Sequence, residues 1–169
     1  MYTTLPRFEN DNEYVNVQRR VTEPIILSIF PHYISFIFTV NRAGFQTAEQ
    51  LIYLTYSAVI VISTTFSIAW HRNREQKDCV FYCDYALALL WTTLEIMIAS
   101  FISDKRILIA VIFSNMIVFI MNYSIDHLAR RNVINYDRGH TVWHIISSIK
   151  CIIVAWALGN SKIHSLIIS

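Results

Sequence analysis

Five residues of this chain have types and spacings that could do chemistry together: Ser67, His71, Asp84, His140 and His144. The phrase Ser-Ile-Ala-Trp-His sets Ser67 four residues before His71, and His-Thr-Val-Trp-His sets His140 four before His144. Residues four apart share a helix face, so His140 and His144 can point at one ion. Three histidines on two helices, with a carboxylate nearby, outline a zinc site. Catalytic zinc has three protein ligands and keeps a fourth position for water. Imidazole also suits copper, iron and nickel, and the lack of sulfur at matching spacing favours zinc. Zinc lowers the pKa of bound water to about 7. In such a site His71, His140 and His144 are the metal ligands. Asp84 orients the water or takes its proton, and Ser67 hydrogen-bonds the developing oxyanion.

The elements that must position these groups follow from composition. Of 169 residues, 54% are hydrophobic and only 15% charged, against roughly 25% charged in soluble domains. Such a chain cannot cover a normal wet surface. A net charge of +2, scattered along the chain, argues against a nucleic-acid partner. Three cysteines cannot build a disulfide framework. With three glycines there is neither a phosphate-cradling loop nor a Gly-x-x-x-Gly helix face. The expectation is an all-α, polytopic transmembrane helix bundle, with the lipid bilayer as its solvent.

A helix needs roughly 20 mainly apolar residues to cross about 30 Å of hydrocarbon. Five runs qualify: residues 24–40, interrupted by Pro31, then 49–71, 79–101, 107–121 and 140–158. Residues 1–23 read as a polar tail and 24–169 as one transmembrane domain. The tail has no apolar segment behind a basic start, so no cleavable signal peptide is expected. With short connections, successive spans run antiparallel. The second span then ends on the side where the third and fifth begin, which brings all five residues to one leaflet boundary.

Basic residues set the orientation. Arg7, Arg19, Arg20, Arg72, Arg74, Lys77, Arg130, Arg131 and Arg138 fall on one side, and Arg42, Lys105, Arg106 and Lys162 on the other. A tally of 9 against 4 predicts a cytoplasmic N-terminus by the positive-inside rule. Arg130-Arg131 is part of that signal. The remaining histidines, His32, His127 and His164, read as tolerated interfacial residues, and the four tryptophans as belt or packing aromatics. Cys79 and Cys83 share a face beside the site and read as packing residues or palmitoylation candidates. Glu95 and Lys150 lie deeper in their spans. Either they pair, or Lys150 bends to the near interface and Glu95 is protonated.

The same residues carry a resemblance. Ser-x-x-x-His at one helix end, Asp in the next helix and His-x-x-x-His in the last span resemble the CREST superfamily of membrane hydrolases. Glu49 and Tyr53 before the Ser/His helix, Cys83-Asp84, Trp91-Thr92-Thr93, Lys105-Arg106 and the closing His140–His144 phrase are most similar to the branch containing myomaker and its GPI-phospholipase-like relatives. The likeness runs from about Pro24 to Ala155. It implies zinc on His71, His140 and His144, with Asp84 and Ser67 completing the site. It also implies hydrolysis of an amide or ester bond in a membrane lipid. The alternative it carries is a non-enzymatic, receptor-like or fusion-related protein with a structural zinc. The chain departs from the family pattern in length: family members place three spans between the Asp helix and the last helix, and this chain has room for one.

The topology is testable by single-cysteine labelling from either face in a cysteine-free background. Positions 74 and 131 should label from one side and position 105 from the other. Labelling of 74 and 131 from opposite faces would break the parity on which the convergence rests.

Overall fold

The computed structural model describes residues 23–73 and 79–161, and among them the fold is entirely helical. Residues 1–22 of the polar tail, Arg74, Lys77, Lys162 and His164 lie outside the described residues, and the last residue of the tail, Glu23, opens the first helix. The first segment is a broken rod: α1 (Glu23–Ile29), a 3-10 turn (Phe30–Tyr33) and α2 (Ile34–Val40). Pro31 lacks an N–H and cannot continue an α-helix ladder, so the chain tightens there. At 1.5 Å per residue the rod from Pro24 spans only about 25 Å. Four longer helices follow: α3 (Ala48–Arg72), α4 (Cys79–Phe101), α5 (Lys105–Arg130) and α6 (Tyr136–Asn160). Each is long and apolar enough to cross a membrane. The protein thus has the build of a multi-pass membrane protein.

Three of the four long helices start on a capping side chain. The side chains of Thr47, Asp104 and Asn135 accept from the backbone N–H of Gln50, Arg106 and Arg138 respectively, satisfying donors that a helix start leaves orphaned. Arg106 also bonds the Asp104 carboxylate and holds its pKa below the usual carboxylate range. The cap therefore persists through mild acid and is lost only as pH falls through that lowered value. Asn132, at φ 57°, turns the chain out of α5, a conformation that asparagine tolerates better than most residues.

Two helix limits differ from the sequence expectation. Helix α5 runs to Arg130 rather than Met121, and α6 begins at Tyr136 rather than His140. Hydropathy marks where a helix meets lipid, whereas polar termini continue it into the interface. An Asp126–Arg130 ion pair four residues apart supports that extension. His140 therefore sits one turn inside α6 rather than opening it.

Helix α6 packs against α1, α2, α4 and α5. Its buried residues run from His140 through His144, Ser147, Ser148, Cys151 and Val154 to Leu158. Tyr53, Tyr56, Ile60, Ile98 and Ala99 complete a core with no solvent exposure. Helix α5 instead turns Phe113, Phe119 and other large apolar side chains outward, as a lipid-facing helix does. At the end away from the histidines, Arg42 pairs with Glu49 and donates to the carbonyls of Leu158, Gly159 and Ser161. A Cβ at Gly159 would collide with the Phe38 carbonyl oxygen, so only glycine admits this approach of α2 to α6.

Glu95 and Lys150 form an ion pair in the core, the first of the two arrangements left open by sequence. Asn115 joins them: its amide donates to Glu95 over 2.9 Å and its carbonyl accepts from Lys150 over 2.7 Å. Tyr56 donates to the other Glu95 oxygen at 3.3 Å. Four helices thus share one buried polar knot. Removing one charge should strand the other, at a cost of roughly 3–5 kcal/mol. Lys150→Met should therefore lower the melting temperature in detergent sharply, and Glu95→Leu/Lys150→Met should recover most of it. Equal melting of the single and double variants would contradict this pairing.

Candidate metal centre

The end of α3 and the first half of α6 meet at three histidines. His71 closes α3, fully buried, while His140 and His144 are 5% and 3% exposed on α6. Their rings form a nearly equilateral triangle, with centroids 5.1 Å apart for His71–His140, 5.1 Å for His71–His144 and 4.7 Å for His140–His144. One nitrogen from each lies within 4.8 Å of the other two. The Nε2 atoms of His71 and His144 are 3.1 Å apart. Tetrahedral zinc at about 2.05 Å from each nitrogen requires nitrogens about 3.3 Å apart. The His71–His144 edge is already close to that length. Three buried imidazoles in this arrangement can hold a metal ion.

Why these helices bring them there is local. Spacing of four puts His140 and His144 on one face of α6, and the turn at 131–135 directs that face inward. Aromatic rings then wall the group. Trp70 lies 4.6 Å from His71, Trp143 and Tyr136 stack on His140 at 5.2 and 5.0 Å, and Trp143 also meets His144 at 4.6 Å. The Trp143 indole donates to the Val118 carbonyl at 2.9 Å, pinning this wall to α5. These three aromatics are packing residues whose packing is the site itself. Trp156 faces outward, 55% exposed.

Asp84 and Ser67 adjoin the triangle rather than belong to it. Asp84 is half-buried on α4 beside His71, with the Ser67 hydroxyl in hydrogen-bonding reach. All five sequence-selected residues are therefore at one end of the bundle: three as a nitrogen cluster, two as a carboxylate–hydroxyl pair beside it. Cys79 and Cys83 stand together on the outer part of α4, their sulfurs 3.9 Å apart, and they contribute nothing to the cluster. Two grooves open nearby. One, of about 450 Å³, runs along Thr65, Ile68, Ala69 and Arg72; the other, of about 440 Å³, lies between α5 and α6 at Met121, Ile125, Arg138 and Val142.

His32 departs from the sequence expectation. It is not a tolerated interfacial residue but a buried one, 8% exposed, whose ring stands edge-on to Trp91 and His144. His127 does lie exposed near the end of α5, stacked on Tyr123. The signal for His32 was present in the sequence. Ser28, His32, Ser35 and Thr39 recur every three or four residues through an apolar segment, a polar stripe that lipid would not tolerate outside the bundle.

Comparisons with protein families, with characterised proteins and with solved structures give no match to this chain.

Proposed function

We propose that this protein binds one zinc ion on His71, His140 and His144 and hydrolyses an amide or ester bond in a membrane lipid. The observation that carries the reading is the meeting of three buried imidazoles from two helices beside a carboxylate–hydroxyl pair. An all-nitrogen ligand set, with the α4 cysteines excluded, suits zinc. The resemblance of Ser67, His71, Asp84, His140 and His144 to the CREST hydrolases supports the same identity.

When bound, zinc supplies a Lewis acid that polarises a carbonyl and brings water to a pKa of about 7. The chain's own groups do the rest. Asp84 is the proton acceptor and Ser67 the hydrogen-bond donor that steadies charge on the substrate oxygen. The aromatic wall excludes bulk water, which strengthens both interactions. Apolar flanks of α3 and of the α5–α6 groove give an acyl chain a way to reach this end from the bilayer. By the charge tally, this end faces the cytoplasm.

A second reading has its own observation. The histidines are at most 5% exposed, and none of them lines either groove. That is the environment of a closed, structural metal in a receptor-like or fusion-related protein.

Two experiments decide. Purified protein, prepared without chelator, should carry about one zinc per chain by elemental analysis. Substituting His71, His140 or His144 by alanine should remove most of it, and metal-free wild-type protein would end the reading. Asp84→Asn should stay folded and metal-loaded yet lose about two to four orders of magnitude of turnover on a lipid amide and ester panel. Ser67→Ala should act in the same direction. Lower metal retention or melting temperature in Asp84→Asn, with no lipid hydrolysis by the wild type, would select the structural reading.

A further inference from the structure

We propose that His32, on the 3-10 turn of the first segment, is a positioning residue that sets the rotation of α6 and so aims His144 and His140 at the metal. This rests on the metal-binding reading above. Both nitrogens of His32 are engaged. Nδ1 lies 3.0 Å from the Ile29 carbonyl and 2.7 Å from the Ser148 hydroxyl, and Nε2 lies 3.3 Å from the Ser147 hydroxyl. Ser148 in turn donates to the His144 carbonyl at 2.7 Å and lies 3.2 Å from the Ser28 carbonyl.

The Ile29 carbonyl can only accept, so Nδ1 carries a proton that it shares between Ile29 and the Ser148 oxygen. The Ser148 hydroxyl donates to the His144 carbonyl, and the Ser147 hydroxyl is the partner of Nε2. The imidazole is therefore tied both to its own segment and to the α6 turn that follows His144. Its ring also closes off the inner side of the His144 ring, 6.2 Å away at 85°.

The magnitude makes this consequential. A ring nitrogen stands about 6 Å from its helix axis, so a 20° turn of α6 would move it by about 2 Å. Zinc–nitrogen distances tolerate only about 0.2 Å. The Arg42 and Gly159 contacts hold the opposite end of α6, 19 residues from His140, and leave this end to other restraints. His32 supplies one at the turn that matters. Both hydroxyls come from the helix that bears the ligands, so the contacts restrain that helix as well as satisfying the ring.

The test is zinc affinity, measured on detergent-purified full-length protein by titration against a competing chelator. His32→Phe keeps a ring and removes both nitrogens. It should bind zinc 10–100-fold more weakly, the usual effect of losing a group that orients a ligand, while still reaching about one zinc per chain at saturation. His32→Asn, which restores a donor near the Nδ1 position, should recover part of the loss. Tyr33→Phe removes the neighbouring 2.8 Å bond to Thr65 without touching α6, and should bind as the wild type does. Affinity of folded His32→Phe within twofold of wild type, or an equal loss in Tyr33→Phe, would overturn the proposal. If His32→Phe does not fold, Ser148→Ala replaces it: a loss of at least fivefold supports the role, and unchanged affinity overturns it. Wild-type protein that takes up no zinc would instead overturn the metal reading itself.

Discussion

Everything at this end of the protein depends on three buried imidazoles being held within reach of one another. Such a cluster does not assemble for its own sake. Each ring carries two polar nitrogens out of water, and a buried polar group without a partner costs on the order of 1–3 kcal/mol. His144 illustrates the tension, since its Nε2 faces His71 while its Nδ1 is buried with no hydrogen-bond partner. The packing around the rings supplies the compensation, through Trp70, Trp143 and Tyr136 at van der Waals distance. A cation shared by the nitrogens would convert that tension into binding energy.

Helix α6 is the part through which the remaining structure acts on that cluster. Its buried polar residues descend from the histidines through Ser147 and Ser148 to Lys150, which the knot of Glu95, Asn115 and Tyr56 secures. At the far end its last carbonyls receive Arg42, and Gly159 admits the backbone of α2. A membrane bundle gains little from the hydrophobic effect between helices, because lipid tails are as apolar as leucine. Polar contacts and close packing must fix the register instead. Here they do so along one helix, and that helix carries two of the three ligand candidates.

The large-scale arrangement was legible in the sequence because it follows from two robust quantities, apolar run length and span parity. These alone brought Ser67 and His71, Asp84, and His140 with His144 to one end. Helix limits were less legible: α5 continues nine residues past its apolar run on an Asp126–Arg130 pair and small polar groups, which a hydropathy scan reads as loop. A single histidine in an apolar run does not tell interface from interior; only the whole Ser28–Thr39 polar stripe marks His32 as inward-facing. The Glu95–Lys150 pairing stayed open because depth along two helices says nothing about which faces meet. Asn115, the residue that links the pair, carries no charge and so gives no signal in a charge pattern.

The most direct measurement of the central claim is X-ray absorption at the zinc edge on purified, zinc-loaded protein in detergent. The account predicts a shell of nitrogen scatterers at about 2.0–2.1 Å with the multiple-scattering pattern of imidazole. Fitting should require three histidines, falling to two in His144→Ala. A sulfur shell at about 2.3 Å, which would place the metal on Cys79 and Cys83, or a spectrum unchanged by His144→Ala, would contradict it.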